Sequence, residues 1–569
     1  MKGRREILEL LLNNSVENTG DRGFFFATVS GVVTTNPGMI RRVDDDVPEI
    51  GLITTKSFQV KPNLGNREPV VAEIEEGSFG NAVGLRNPGM TEGLKGLEKM
   101  MEDGPLSSIL NVSVSGNSVE EFVVLVKHFE NIADIIELNL SCPHAADGYG
   151  MAIGRDPEIV YMYLKEIRKV TDTLIFPKLT PNVDSISEIA RAAAEGGADG
   201  ISAINTMGPE LYIEPVSGMP ILTNKVGGMS GRRIKETALE KVAEIRRAVG
   251  PSVPIIGMGG VETGRDAVNM MKAGANTVGI GSLFASVEPE FWKDFFTALK
   301  DDAVNGTDTA GGYRKRGRQM EYVPCRVTGI TDMPGDVRLL KLDGRIDFKA
   351  GQFAFLFIPG IGEKPFSVMS GAPPVFLIRK RGAFTSEVMR LKEGDRIFVR
   401  GVYGKEPPVT DKPSVVIAAG GTGIASALKL AEEFSALGKR VHVYYGMSSS
   451  GQEAMKEEFL KYGDYTAVPD NGVAGRVLDV INRFIREPDP LSDTAEKIED
   501  LALYTIGPMP FMEKAAGVFM DAGGESGDIY LSIEKSVRCG VGLCGECECG
   551  GRLTCREGTF FSWRDLNEN

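Results

Sequence analysis

The sequence predicts an α/β protein: a (β/α)8 TIM barrel, then a smaller antiparallel β-barrel, an open α/β sheet and a short cysteine-rich C-terminal domain. Three observations predict it. Between about residues 50 and 285, short β-branched runs (GLITTK, SILNVSVS, IIELNLS, LIFPKLT, GISAIN, PIIGMGG, TVGIGS) alternate with helical segments such as VEEFVVLVKHFENI and ISEIARAAAEGGA. Such alternation specifies parallel strands with crossover helices, and its length suits a closed barrel better than an open sheet. The pattern changes in kind near Met320 and again after Pro413. Five of the seven cysteines fall between residues 539 and 555.

A chain of 569 residues is long enough for three to four domains at roughly 150 residues each. The expected divisions are a barrel over 1–300, a linker over 301–319, an antiparallel barrel over 320–411, an α/β nucleotide domain over 412–527 and a cysteine domain over 528–569. Chemistry in a (β/α)8 barrel sits at the C-terminal ends of the strands. Polar residues stand there: Lys56, Asn81, Asn139 to Cys142, Lys178, Asn205 with Thr206, then the glycines of GMGG and GIGS. Between Asp301 and Arg318 the sequence has no apolar periodicity and is rich in Gly, Thr, Asp and Arg, which reads as a linker. Residues 322 to 405 carry short strands spaced by turns, the pattern of a small antiparallel barrel. After Pro413, the order VVIAAGG, ASALKLAEEFSALG, VHVYYGM reads as strand, helix, strand of an open α/β sheet.

Composition narrows the function classes. Lys plus Arg number 64 against 78 Asp plus Glu, a formal charge of −14, which repels a phosphate backbone, so nucleic acid is not an expected partner. The 69 glycines are about 12% of the chain, against roughly 7% in an average protein, an excess suited to tight loops that approach phosphates. No signal-peptide pattern opens the chain and no apolar run of membrane-spanning length interrupts it, so a cytoplasmic location without membrane association is expected.

Cys539, Cys544, Cys547 and Cys555 stand in CGVGLCGECECGGRLTC with the spacing C-x4-C-x2-C-x7-C. The first gaps are those of plant-type [2Fe–2S] loops, and Gly540, Gly542 and Gly545 permit the tight wrap. Zinc is the alternative, although structural zinc usually pairs two C-x2-C-like knuckles. Cys549, at alternate-residue spacing from Cys547, points the other way along an extended segment and is not an expected ligand. Cys325 reads as a buried thiol.

Three strings upstream are individually weak: Lys364-Pro365-Phe366-Ser367 after a strand, Gly382 to Ser386 opening a helix, and Gly420-Gly421-Thr422-Gly423 between strand and helix. A glycine-rich strand-to-helix turn lets a dinucleotide pyrophosphate approach the backbone. In this order, and followed by Gly507-Pro508-Met509, they resemble the ferredoxin reductase family over about residues 320 to 569. The attached cysteine loop narrows the resemblance to the electron-transfer subunit of NAD-linked dihydroorotate dehydrogenases. It implies FAD held by Lys364, Pro365, Phe366, Ser367, Gly382, Thr385 and Ser386. It implies NAD against Gly420, Gly421, Thr422, Gly423, Gly507, Pro508 and Met509, and a [2Fe–2S] cluster on the four cysteines. Lys364 departs from the Arg usual at that flavin motif, keeping the charge but losing the bidentate fork.

The strings TKS (55–57), FGNAVGLRNPG (79–89), NLSCPH (139–144), KLTPN (178–182), INT (204–206), GGMSG (227–231), GMGG (257–260) and GIGS (279–282) resemble the catalytic subunit of the dihydroorotate dehydrogenase family over about residues 25 to 290. The resemblance implies Cys142 as the base that takes the C5 proton while a hydride leaves C6. It implies substrate contacts from Lys56, Asn81, Val83, Gly84, Leu85, Asn139, His144, Asn205 and Thr206. It implies FMN held by Ser30, Gly31, Lys56, Ser57, Asn111, Asn139, Lys178, Gly231, Gly259, Gly260, Gly281 and Ser282, with Lys178 near the flavin N1–C2 edge. From the residues alone, Lys178 also reads as a strand-end lysine paired with a core carboxylate, Asn182 as a turn residue, and His128 and His442 as structural. His144 departs from the Asn usual in orotate enzymes, which keeps a dihydropyrimidine dehydrogenase-like reduction of uracil or thymine as the alternative. A third possibility is an electron carrier whose barrel has lost its substrate. The combined resemblance implies a fusion in which electrons pass from dihydroorotate through FMN, [2Fe–2S] and FAD to NAD, in a chain paired through its barrels.

Overall fold

The computed structural model describes residues 3–17, 23–140, 153–448, 451–453, 455–470, 476–486 and 496–567. Eight parallel strands close a barrel in chain order: Phe26–Thr28, Ile50–Thr54, Ile109–Val114, Ile135–Asn139, Leu174–Leu179, Ile201–Ala203, Ile255–Met258 and Thr277–Ile280. Pairing of Phe26 with Val278 joins the last strand to the first. Every residue of these strands is buried, as parallel strands covered by helices require. The crossover helices start where the sequence offers caps. Ser118 accepts from Glu121 N before Val119–Phe129, Asp156 caps Pro157–Arg168 and Ser185 caps Ile186–Gly196.

The N-terminal helix Arg4–Leu12 sends Ile7 and Leu11 into a cluster with Ile109, Ile135 and Leu174, the opening residues of three strands. That end of the barrel is therefore plugged with hydrocarbon, and the opposite end is left for chemistry. There, four strands that the alternation did not predict form an antiparallel sheet in the order Val71–Glu75, Ser78–Asn81, Val226–Gly231, Met207–Leu211. Their short runs lie inside βα connections, where a search for strand–helix alternation passes over them.

The segment expected as a linker is attached along its length. Residues 301–305 complete the helix Trp292–Asn305, and its Asp302 accepts hydrogen bonds from Thr309 N and Ala310 N at 2.8 Å each. Arg314 pairs with Glu262 at 2.9 Å, and Glu73 accepts from the backbone of Gln319 and Met320. Two of the side chains that anchor this segment, Glu262 and Glu73, lie far away in sequence, so its polar composition alone resembled a free linker.

Contacts divide the chain into two compact units, 1–320 with 541–552, and 321–540 with 553–569. The second unit holds a seven-stranded antiparallel sheet in the order Gly362–Ser367, Phe353–Ile358, Arg396–Tyr403, Val323–Met333, Val337–Leu342, Pro374–Arg379, Ser370–Gly371. It also holds a six-stranded sheet: Asp464–Pro469, Arg440–Met447, Ser414–Gly420, Leu501–Ile506 and Ile529–Ser532 run parallel, and Phe560–Ser562 pairs antiparallel at the edge. Residues 528–569 therefore form no separate domain. Ile529–Ser532 and Phe560–Ser562 lie in the six-stranded sheet, while 541–552 group with the barrel.

Candidate active site

One cavity opens at the C-terminal ends of the barrel strands. Of the residues expected around FMN, its walls include Ser30, Gly31, Lys56, Ser57, Asn139, Lys178, Gly231, Gly259, Gly260, Gly281 and Ser282. Of those expected around substrate, they add Asn81, Val83, Gly84, Leu85, Asn205 and Thr206. The strand ends explain the convergence: Lys56 follows Thr54 by two residues, Asn139 ends its strand, and Lys178 is paired with Asn139 across the sheet. Asn81 ends the hairpin strand Ser78–Asn81 and donates to Gly228 O at 3.2 Å, so the antiparallel sheet carries this side chain to the cavity.

A hydrogen-bonded chain lines the floor. Ser57 Oγ lies 3.2 Å from Ser30 Oγ and 2.9 Å from Ser113 Oγ, and accepts from Asn139 Nδ2 at 3.1 Å. Ser113 Oγ donates to Glu137 Oε1 at 3.3 Å, and Lys178 Nζ stands 3.9 Å from the same oxygen. Lys178 therefore lines the cavity and stands beside a buried carboxylate. Asn205 Nδ2 lies 3.5 Å from Asn139 Oδ1, and Thr206 N donates to Asn205 Oδ1 at 2.8 Å. Asn182 is more than a turn residue, since its Nδ2 donates to Thr206 O and its Oδ1 accepts from Gly208 N.

Asn111 is not on the wall. It is fully buried, donates to Thr54 Oγ1 at 3.1 Å, and leaves its Oδ1 without a hydrogen-bond partner. That orphaned acceptor and the two buried lysines fit a polar cofactor at this end of the barrel. Gly31 adds a close approach, because with φ +79° a Cβ there would stand 2.9 Å from Lys56 Nζ. Cys142 and His144 lie outside the described residues.

Nothing in the sequence signals that Leu543 and Cys544 line this cavity. The segment 541–552 is fastened to the barrel by Val33 N to Leu543 O at 2.9 Å, Thr35 Oγ1 to Cys544 O at 2.9 Å, Asn36 Nδ2 to Gly545 O at 2.8 Å and Arg42 to Gly551 O at 3.0 Å. Gly545 has φ +68°, and a Cβ on it would lie 2.6 Å from Val33 O. Cys539, Cys544, Cys547 and Cys555 are all buried, and Cys549 is part-exposed. Among the described residues, no group of three or more His, Cys, Asp or Glu side chains forms a site for a bare metal ion. The thiols at 539, 544, 547 and 555 are each buried, glycines at 540, 542 and 545 have positive φ, and thiolate is the ligand chemistry that iron–sulfur clusters use.

In the second unit one cavity gathers both dinucleotide motifs: Lys364, Pro365, Phe366, Ser367, Gly382 and Thr385 together with Gly420, Gly421, Thr422, Gly423, Gly507 and Pro508. Ser386 and Met509 do not line it; Ser386 follows Ala383, Phe384 and Thr385, which do, in one helix, and Met509 opens a helix just after the lining residues Gly507 and Pro508. The sequence reading missed Arg379, at the end of Pro374–Arg379, which also lines this cavity and whose buried Nε has no hydrogen-bond partner. An orphaned guanidinium nitrogen beside glycine turns suits a pyrophosphate. Burial raises the Cys325 thiol to about 11, so it stays protonated and unreactive.

The dihydroorotate dehydrogenase family profile matches residues 26–302. The dihydroorotate dehydrogenase B (NAD+) catalytic subunit of Thermococcus kodakarensis is 40% identical over 277 residues, covering 47% of this chain and 88% of that protein. The subunit of the same name from Pyrococcus horikoshii is 43% identical over 253 residues, 44% of this chain and 80% of that one. The chain belongs to the dihydroorotate dehydrogenase family. Its likeness to this family's solved structures is looser: one from Eimeria tenella with ferulenol has a TM-score of 0.43 at 20% identity, covering 55% of this chain and 92% of that one. An NADH-dependent reduced ferredoxin-NADP oxidoreductase gives 0.38 at 20% identity, covering 43% of this chain and 89% of that one. Neither adds to the assignment. As a member of the dihydroorotate dehydrogenase family the chain is an oxidoreductase. Among its described residues no helix is long and apolar enough to cross a membrane.

Proposed function

We propose that this chain oxidises dihydroorotate to orotate with NAD+, as a single-chain fusion of the catalytic barrel with its electron-transfer partner. The observation that carries the reading is the barrel cavity, where Lys56, Lys178, Asn81, Asn139 and Asn205 converge beside glycines of the late strands and Cys544 of the cysteine loop. Asn81, Asn139 and Asn205 each offer one carbonyl and one amide, the pairing that a pyrimidine's ring N–H and C=O groups need. Lys56, with the backbone N–H groups of residues 83–85, would hold the substrate carboxylate. Cys142 would take the C5 proton, and Lys178 would place its charge beside the flavin's N1–C2 edge. FMN in the barrel cavity, FAD at the KPFS motif and a [2Fe–2S] cluster on Cys539, Cys544, Cys547 and Cys555 would supply hydride acceptance, exchange with NAD and single-electron transfer between them. Fusion keeps the two modules at a high effective concentration.

His144 favours a second reading, reduction of uracil or thymine, because the donor and acceptor nitrogens of an imidazole diverge and cannot meet one pyrimidine edge side by side as an amide does. The test is to assay the full chain for NAD+ reduction with dihydroorotate and for NADH oxidation with uracil, alongside its flavin and iron content. NAD+ reduction with dihydroorotate by a protein holding FMN, FAD and iron is expected. Activity with uracil alone would select the second reading, and activity with neither would leave an electron carrier. Pairing of two chains through the barrel belongs to the same proposal and is read from the mass in solution.

A further inference from the structure

Arg400 lies in the strand Arg396–Tyr403 and is wholly buried, as is Glu363. Its Nε and Nη2 donate to Glu363 Oε2 and Oε1 at 2.8 and 2.6 Å, a bidentate pair. Tyr322 Oη donates to Glu363 Oε2 at 2.8 Å, and the guanidinium carbon sits 3.7 Å from the centre of the Phe355 ring. The remaining nitrogen, Nη1, donates to Tyr403 Oη and to the backbone carbonyl of Cys539, each at 2.9 Å. Tyr403 also packs on the next residue of the loop: a Cβ on Gly540, φ +84°, would meet its ring at 3.1 Å.

A buried ion pair is no requirement of stability, since well-packed apolar side chains of similar volume are often as stable. What distinguishes this pair is its orientation. Glu363 occupies one edge of the guanidinium and Cys539 the other, so the positive end of the pair faces a cysteine of the loop.

We propose that Arg400 is a positioning residue for the iron–sulfur loop, holding the Cys539 carbonyl and placing a fixed positive charge behind that ligand, which raises the reduction potential of the cluster. The inference rests on the assignment of a [2Fe–2S] cluster to these cysteines. Reduction adds one negative charge to the cluster, and a nearby cation in a medium of low dielectric constant stabilises the reduced form. The network therefore biases the cluster towards accepting an electron.

The experiment is a spectroscopic redox titration of the cluster in the full-length protein, wild type against two variants that leave no buried carboxylate unpaired. Glu363→Gln keeps the cation and removes its counter-charge; Arg400→Gln with Glu363→Gln removes both. The midpoint should rise in the single variant and fall below wild type in the double. Each tenfold change in the reduced-to-oxidised ratio at fixed ambient potential corresponds to about 59 mV for a one-electron couple. Unshifted midpoints, or shifts of the same sign in both variants, would overturn the electrostatic role. Loss of iron from Glu363→Gln with its flavins retained would make the network a structural clamp and also overturn it. Absence of iron from the wild-type protein would instead remove the cluster assignment, and this inference with it.

Discussion

Arg86 Nε lies 2.7 Å from Glu546 Oε2, joining the loop that carries Val83, Gly84 and Leu85 to the segment between Cys544 and Cys547. The side chains are 32% and 12% exposed, so solvent screens the pair and a coupling of about 0.5–1 kcal/mol is expected. A double-mutant cycle on Arg86→Gln and Glu546→Gln should recover that value in the free energy of unfolding, and added salt should shrink it. Additive effects would mean that the two loops act independently.

Lys178 and Glu137 are nearly enclosed, with 7% and 1% of their side chains exposed. Lys178→Ala is expected to slow substrate-driven flavin reduction by about 10²-fold while FMN stays bound. Stopped-flow absorbance measures the rate, and a rate within twofold of wild type would take Lys178 out of the chemistry.

Cys142→Ser should leave the flavin spectra unchanged and slow flavin reduction by dihydroorotate by about 10²–10⁴-fold. An unperturbed thiol ionises near 8.5. In the proposed reaction Cys142 acts as thiolate, and the wild-type rate should then rise with pH until that ionisation is complete.

Cys544→Ala is expected to abolish NADH formation and to spare reduction of FMN by substrate. Comparing anaerobic flavin bleaching with steady-state NADH formation separates the two half-reactions; NADH formed at the wild-type rate would mean that electrons bypass the loop.

For Asp302, burial would raise the carboxyl's pKa, but hydrogen bonds from Thr307, Ala310 and Thr309 outweigh it and hold it below the usual carboxylate range. A depressed folded-state value means that the stabilisation is present above the unfolded pKa of about 3.9 and is lost as pH falls through the folded value. Asp302→Ala should cost about 1–3 kcal/mol at neutral pH, flatten the acid limb of the stability curve and open Arg314 to Arg318 to trypsin. Denaturation at two pH values and limited proteolysis check both.

Most of the site was legible because barrel chemistry sits where strands end, and strand ends can be read from where apolar runs give way to polar residues. Lys56, Asn139, Lys178 and Asn205 were found in that way. Asn111 and Ser386 do not line the cavities, since sequence gives an approximate position along a strand or helix but not which way a side chain faces. Arg379 escaped because a lone arginine at the end of a strand carries no motif.

By itself the sequence determined the order of the sheets, the alternation that closes the barrel, and most of the polar residues that line the barrel cavity, all of which follow from local periodicity and short motifs. Only the tertiary structure decided that residues 541–552 belong with the barrel, that Cys544 shares its cavity with Lys56 and Asn139, and that 306–320 is bound down through Glu73, Glu262 and Asp302. These contacts join residues up to 509 positions apart. Their partners are selected by burial and hydrogen-bond geometry in the folded chain, and no local pattern encodes such a selection.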